Sequence, residues 1–502
     1  MNDELINADE RKARSLNNKK KYIIIFFISL ILITSLVFIL IFIIKGKERK
    51  EENNEQCKPG YFLPDDDKNC KPCSILNCKI CNGTKINNTC YICDKNYIPI
   101  FDNNIIEACD LDQKCLIRDK QSNKCLNCDS KYYLIDGICK SYSFMATYQN
   151  DFNDEEILLI NEAYYSYILG MYMNNLNIEI KSSYTFSSRG KHTIYFYLNI
   201  SLIDSLASMF FKVERMISIN FSPEFNTKNI KSMSNMFSNC ISLTSINVSS
   251  FNTSSVTNMD NMFLNCFSLV SINISNFDTS SPTSIFGMFH YCKSLIELNI
   301  SNFNTSNIIE MNSLFSGCYS LTSINLSNFN TSSVKSMANM FFFCHSFTSL
   351  NLSNFDTSRV TSMVGMFGYC KSLTALDISN FNTSSVIDMT QMFGDCYSLT
   401  SIEISKIDTS RVTDMTIMFI ECRSLISLNI SNFNTSSVTS MNLMFLNCTT
   451  LKSIDISKFN ISKVIKMGNM FNNCKSLTSI NLPNCKSSSV TDMINIFIIV
   501  FL

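Results

Sequence analysis

Twelve cysteines fall between Cys57 and Cys139 of this 502-residue chain. Eight of them form four Cys-x-x-Cys pairs: Cys70 with Cys73, Cys78 with Cys81, Cys90 with Cys93, and Cys125 with Cys128. Cys57, Cys109, Cys115 and Cys139 complete the set. Cysteines at such spacing either close disulfides or ligate a metal. The pair Cys70 and Cys73 is separated by sixteen residues from the pair Cys90 and Cys93, which suits a four-cysteine zinc site. Against zinc, Cys78 and Cys81 lie between them, the stretch holds no histidine, and the same pairing recurs downstream. An even count in a stretch without core-forming periodicity reads as a disulfide framework in an oxidising compartment.

Ten further cysteines fall at 240, 266, 292, 318, 344, 370, 396, 422, 448 and 474, every interval being 26 residues. Here the expected chemistry is none. One fixed slot per repeat suits buried free thiols, stacked about 4.8 Å apart as small hydrophobes. Catalytic sets are absent too. His192, His290 and His345 are the only histidines, none has a regular carboxylate, serine or cysteine companion, and no phosphate-loop or zinc-protease motif occurs. The expectation is a protein that is not an enzyme and uses no cofactor or metal. Charge excludes a second class. With 42 basic and 42 acidic residues and no basic block, the chain is not built to neutralise nucleic-acid phosphates.

The elements that carry the ten cysteines follow from the 26-residue period, which makes each unit a coil of a solenoid buried against its neighbours. In one unit, Leu269, Ile272 and Ile274 read as a strand, with Ser271, Asn273 and Ser275 turned to solvent. Phe277 plugs the corner behind it. Thr253, Ser254 and Ser255 suit the cap of a short helix whose Val256, Met259 and Phe263 share a face. The predicted class is an α/β solenoid: parallel strands, phenylalanine corners and short helical turns.

Units such as SLTSINLSNFNTSSVKSMANMFFFC (320–344) and SLTALDISNFNTSSVIDMTQMFGDC (372–396) resemble the BspA-like leucine-rich repeats of microbial surface proteins, over residues 214–502. That resemblance implies display at a cell surface, with adhesion or partner binding as the usual role, and no catalytic residues. CKPGYF (57–62) and CDSKYYLIDGIC (128–139) resemble the cysteine-rich modules of growth-factor-receptor-like ectodomains and protozoan surface antigens.

Tyr22 to Ile44 runs 23 residues without a charge, long enough to span a bilayer. The basic residues Arg11, Lys12, Arg14, Lys19, Lys20 and Lys21 before it outnumber Lys45, Lys47, Arg49 and Lys50 after it. This bias favours a cytosolic N-terminus and repeats outside the cell, at the plasma membrane. The resulting plan is a tail (1–21), a membrane helix (22–44), a linker (45–56), a disulfide domain (57–140), an N-terminal cap (141–213) and the repeats (214–502). In the cap, Asn153-Asp154-Glu155-Glu156 and Gly170 predict the start and stop of a helix through Leu158 and Tyr165. Tyr184 and Phe186 on one side of SSRG (187–190), and Ile194, Phe196 and Leu198 on the other, read as the arms of a β-hairpin. Residues 494–502 read as a degenerate cap, ahead of a truncated end or a lipid-anchor signal.

Two exposed columns are expected along the strands. One holds Asn247, Asn273, Asn299, Asn325, Asn351, Asp377, Glu403, Asn429, Asp455 and Asn481; beside it, Glu297 interrupts a column of serines. The column is either a solubilising ladder or a ligand face, and in the second case Glu297, Asp377, Glu403 and Asp455 mark it for a protein or glycan partner. Asn252, Asn304, Asn330, Asn382 and Asn434 start Asn-Thr-Ser sequons at the coil corner, so glycosylation would line that edge with sugars. The function expected is a single-pass surface protein whose repeats recognise a partner. A structural coat without a ligand is the alternative.

Overall fold

The computed structural model describes residues 142–481 apart from Asn175, ten short strands between 61 and 141, and residues 483 and 489–496. The expected membrane segment 22–44 lies outside the described residues, as does most of the C-terminal tail. Among the described residues no helix is long and apolar enough to cross a membrane. The chain forms two compact units, 1–129 and 130–502.

In the first unit, six strands make one sheet in the order Cys78–Thr84, Asn87–Cys93, Ile105–Asp110, Ile98–Asp102, Cys115–Asp119, Cys125–Cys128. Neighbouring strands are antiparallel except Ile98–Asp102 and Cys115–Asp119. Of the cysteines expected to form disulfides, Cys57, Cys70 and Cys73 lie outside the described residues. The expected bonds of Cys70 and Cys73, and the zinc alternative built on that pair, therefore lie outside them too. The other cysteines of the segment fall in strands: Cys109 in Ile105–Asp110, Cys139 in Ile138–Ser141, and the rest in the two cysteine-bearing hairpins of the sheet.

The second unit begins with an antiparallel sheet that becomes the solenoid. Strand Phe144–Asn150 pairs on one side with Gly190–Leu198 and on the other with Met216–Phe221, which then pairs in parallel with Ser245–Asn247. The buried Phe144 ring stacks on Phe196 at 4.6 Å and meets Phe210 edge-on at 5.2 Å, so the sheet closes the apolar end of the first coil.

Two local expectations are corrected here. The helix from Asn153 is instead a strand, Glu155–Leu158, followed by a 3₁₀ turn, Glu162–Tyr167, and Gly170 lies inside strand Ile168–Met173. Ile157 and Leu159 are buried while Glu156 is exposed, a period-2 pattern; Asn161 caps the short turn through the Ala163 amide at 3.0 Å. The hairpin is also absent. Ser183–Phe186 pairs with Glu155–Leu158, whereas Gly190–Leu198 joins the main sheet, so SSRG crosses between two sheets. The alternation is as read, with Ile194, Phe196 and Leu198 buried. Alternation fixes which face is buried and leaves the pairing partner open.

Along the repeats, the inward strand residues, the phenylalanine corner and the cysteine are placed as expected. Ile272, Ile274, Phe277 and Cys266 are buried, and Ser271, Asn273 and Ser275 are exposed. The parallel ladder is intermittent, however: three-residue stretches pair at 218–220 with 245–247, at 375–377 with 401–403 and at 453–455 with 479–481, and Ser427 bridges to Ser453, while a second series of single bridges runs from Ser205 to Asp492 beside the turns.

The expected helical turns do not form. The segment 233–240 is a run of reverse turns in which Met236, Ser238 and Cys240 amides bond to Met233, Asn235 and Phe237 carbonyls in the same coil. The alternate amides of Met233, Asn235, Phe237 and Asn239 donate to Asn258, Asp260, Met262 and Leu264 of the next coil, at 2.7–2.9 Å. This ladder demands a left-handed residue at two positions per coil, φ 55° at Asn235 and 62° at Asn239, where an α-helix needs negative φ throughout. The coils are therefore joined most continuously on the Met/Phe/Cys side. Its phenylalanine rings stack from Phe210 to Phe471 with centroids 5.3–6.1 Å apart, wider than the strand spacing expected for the ladder.

Candidate functional site: the variable edge of the coils

Most of the repeated phrase is accounted for by contacts between coils. Buried Thr331 donates its hydroxyl to the Asp356 carbonyl (2.9 Å) and accepts the Asp356 amide (2.8 Å). Asn354 reaches back to the Leu326 and Phe329 carbonyls at 3.0 and 2.8 Å. The thiols donate to the carbonyl of the preceding coil's phenylalanine, as Cys344 does to Phe315 at 3.1 Å. All ten are free and buried, as expected, and desolvation pushes Cys318 and Cys396 up to about 12. Thiols held neutral in this way are poor nucleophiles and metal ligands.

The strand-face residues are exposed and have a local role. Asn325 and Asn351 accept the amides of Ser327 and Ser353 (3.0 and 3.1 Å), closing a side-chain turn. Asp377, Glu403 and Asp455 accept from Ser379, Ser405 and Ser457 in the same manner, each at 2.9 Å. The Ser379 amide holds the Asp377 carboxyl below the usual range, and the hydroxyls of Ser405 and Ser457 do the same for Glu403 and Asp455. The acids thus fill the asparagine's structural slot and add charge. Only Asp377 and Glu403 stand opposite each other in register; Asp455 lies two coils further on, and Glu297 lies in the neighbouring column beside a shallow groove lined by Ser271, Asn299 and Asn325. The structure does not gather the four acids into one site.

The sequon residues Asn252, Asn304, Asn330, Asn382 and Asn434 are all exposed at the corner. Each accepts the amide of the serine two residues on, at 3.1 Å.

A feature that strand-face reasoning missed lies on either side of the cysteine. The residue before it is left-handed in every coil. Asn239, Asn265, Asn447 and Asn473 hold this slot near the ends of the array, as that backbone favours. In the middle coils it holds Tyr291, Gly317, Phe343, Tyr369, Asp395 and Glu421. The residue after the cysteine varies alongside it: Phe267, Lys293, Tyr319, His345, Lys371, Tyr397 and Arg423.

Apart from the buried Gly317 and Asp395, these residues form one half-exposed ridge. The Lys293 ammonium sits 3.9 Å above the Phe267 ring. Tyr319 stacks on His345 at 4.6 Å, and Phe343 on Tyr369 at 4.3 Å. Arg423 lies 4.7 Å over Tyr397 and pairs with Glu421 at 2.6 Å. Burial keeps His345 below its ordinary value, with Lys371 adding to the effect, and its Nε2 is buried without a hydrogen-bond partner. Burial raises the Asp395 carboxyl, and neighbouring Glu421 raises it further. Among the described residues no group of histidines, cysteines or acids could hold a metal ion.

No curated protein matches the chain. Among solved structures, "Crystal structure of TLR13-ssRNA13 complex" aligns at 12% identity with a TM-score of 0.13. That alignment takes in 56% of this chain and 54% of the other, so the match spans about half of that protein. The cysteine-rich segment's receptor-like resemblance has no counterpart in these comparisons. The repeat resemblance does: family matches at 204–324, 292–402 and 396–500 together take in more than half of the sequence, and the chain belongs to the family described as "Mycoplasma protein of unknown function, DUF285".

Proposed function

We propose that this is a membrane-anchored cell-surface protein whose leucine-rich repeat ectodomain mediates adhesion or partner recognition. One observation carries the reading. At Tyr291, Phe343, Tyr369 and Glu421 the slot before the cysteine holds a large side chain in a left-handed backbone where asparagine or glycine would be relaxed. Such strain costs about 1–2 kcal/mol per residue. Strain retained along a half-exposed edge, in several coils, suits a site kept for contact rather than for folding. A plain coat would repeat asparagine throughout.

The ridge gathers Phe, Tyr and Arg side chains within one strip, residue types enriched where proteins bind proteins. A protein ligand therefore fits it better than the polar strand face does. Anchoring rests on the uncharged 22–44 segment, and external display on the basic bias before it and the cysteine-rich segment after it.

The test is attachment of the purified chain to cells, measured against concentration, for two variants. Phe343→Asn with Tyr369→Asn restores the relaxed slot. Glu297→Gln, Asp377→Asn, Glu403→Gln and Asp455→Asn neutralise the strand face and keep its acceptors. Saturable attachment lost in the first variant, with unfolding unchanged within a few degrees, supports the ridge. Loss in the second alone moves the site to the strand face, and attachment that never saturates favours the coat.

A further inference from the structure

The strand register of the first unit pairs its cysteines. Cys78 stands opposite Cys93, and Cys81 opposite Cys90, on the antiparallel strands Cys78–Thr84 and Asn87–Cys93. The members of each Cys-x-x-Cys pair stand three positions apart, a spacing that places them on opposite faces of a regular strand. The register is not regular here: it shifts between Cys78 and Ile80 and again between Ile80 and Cys81. The first shift adds a residue to one strand, the second adds one to its partner, and each brings a three-residue spacing to an effective two. Both cysteines of each motif then fall in cross-strand positions on one face.

The same pair of shifts recurs in the hairpin of strands Cys115–Asp119 and Cys125–Cys128. There Cys115 stands opposite Cys128, Ile117 opposite Asn127, and Arg118 opposite Cys125. The two hairpins share this register position for position, with Arg118 where the first has Cys81. Directly opposed residues of an antiparallel pair have Cα atoms about 4.5–5.5 Å apart, inside the roughly 4.4–6.8 Å range of disulfides.

We infer that Cys78–Cys93, Cys81–Cys90 and Cys115–Cys128 are disulfides, and that Cys125 bonds outside its own hairpin. The second hairpin separates this from a metal site. Four cysteines at two opposed register positions of the first hairpin would also suit zinc, but the shared register has Arg118, which is no zinc ligand, at one of those positions in the second hairpin. Disulfides form pairwise, so losing one cysteine of a pair leaves the other bond intact. Each bond forms when two thiols lose two protons and two electrons to an external disulfide, which leaves as two thiols. The inference rests on the proposed external location, because that compartment supplies the oxidant.

The experiment is mass mapping of the full chain, purified from its own cells under alkylating, non-reducing conditions. Trypsin cuts after Lys79 between Cys78 and Cys81; chymotrypsin cuts after Tyr91 between Cys90 and Cys93 and after Leu126 between Cys125 and Cys128. Together they resolve all three bonds. Linked peptides 78–93, 81–90 and 115–128 are the expected result. Bonded cysteines in other combinations overturn the pairing and leave the external location standing. Alkylated cysteines throughout, or stoichiometric zinc released from the chain, overturn both.

Discussion

The Cys266 thiol donates to the Phe237 carbonyl of the preceding coil at 3.2 Å, while the Phe237 amide donates forward to Met262. One turn of backbone is thus held from both directions, and the same bond recurs for each cysteine of the series up to Cys474, where it joins Phe445 at 3.1 Å. Because these thiols are neutral and buried, the chain should behave unusually in alkali. Their folded pKa lies above the unfolded value, so their stabilisation is complete below pH 9.0 and is lost as pH rises towards about 12. Native repeats should show no thiolate absorbance near pH 9–10, and their denaturation midpoint should fall over that range. Thiolate absorbance appearing at pH 9 without unfolding would mean the thiols are solvated.

Phe367→Ala and Asn351→Ala should differ sharply. Phe367 is buried between Phe341 and Phe393, with centroids 5.9 and 5.7 Å away, and its loss should cost roughly 3–5 kcal/mol. Asn351 is exposed and closes a turn that water can satisfy, so its loss should cost less than about 1 kcal/mol. Since coils couple only to neighbours, the phenylalanine change should melt part of the array first. Equal shifts in thermal unfolding would contradict this account of the two faces.

Thr331→Val keeps the shape of a buried side chain but strips both bonds to Asp356. Leaving the part-buried amide and carbonyl of Asp356 short of a partner should cost about 1–3 kcal/mol. Ser332→Ala, next in the chain, removes a hydroxyl that bonds only to Asn330 near the surface and should cost under about 1 kcal/mol. Urea titration of both variants decides it; parity would place the threonine column outside the core.

Ile417 is β-branched at φ 52°, in the slot where Asn339 and Asn469 sit at 57° and 54°. Ile417→Asn should therefore stabilise the chain by roughly 0.5–1 kcal/mol, seen as a higher urea midpoint. A lower midpoint would mean that packing of the isoleucine outweighs backbone strain there.

The strand half of each coil was legible because period-2 burial at Ile272 and Ile274 and the fixed corner Phe277 have no other simple reading. The turn half was not. Met259, Met262, Phe263 and Cys266 repeat at spacings of three and four, and that spacing belongs equally to a helix and to successive reverse turns. Its discriminating signal was present: asparagine or glycine at 235, 261, 287, 339 and 365, and again at 239 and 265, marks left-handed positions that a helix disfavours. The same column held the ridge. Asparagine giving way to Tyr291, Phe343 and Tyr369 stands out only once the slot's backbone is known.

Display outside the cell is the claim on which recognition and disulfide pairing both depend. Protease treatment of intact cells, followed by antibodies to the repeats and to the tail 1–21, tests it directly. The account predicts that the repeats are shaved from intact cells while the tail epitope survives. Repeats that resist protease until the cells are lysed would contradict it.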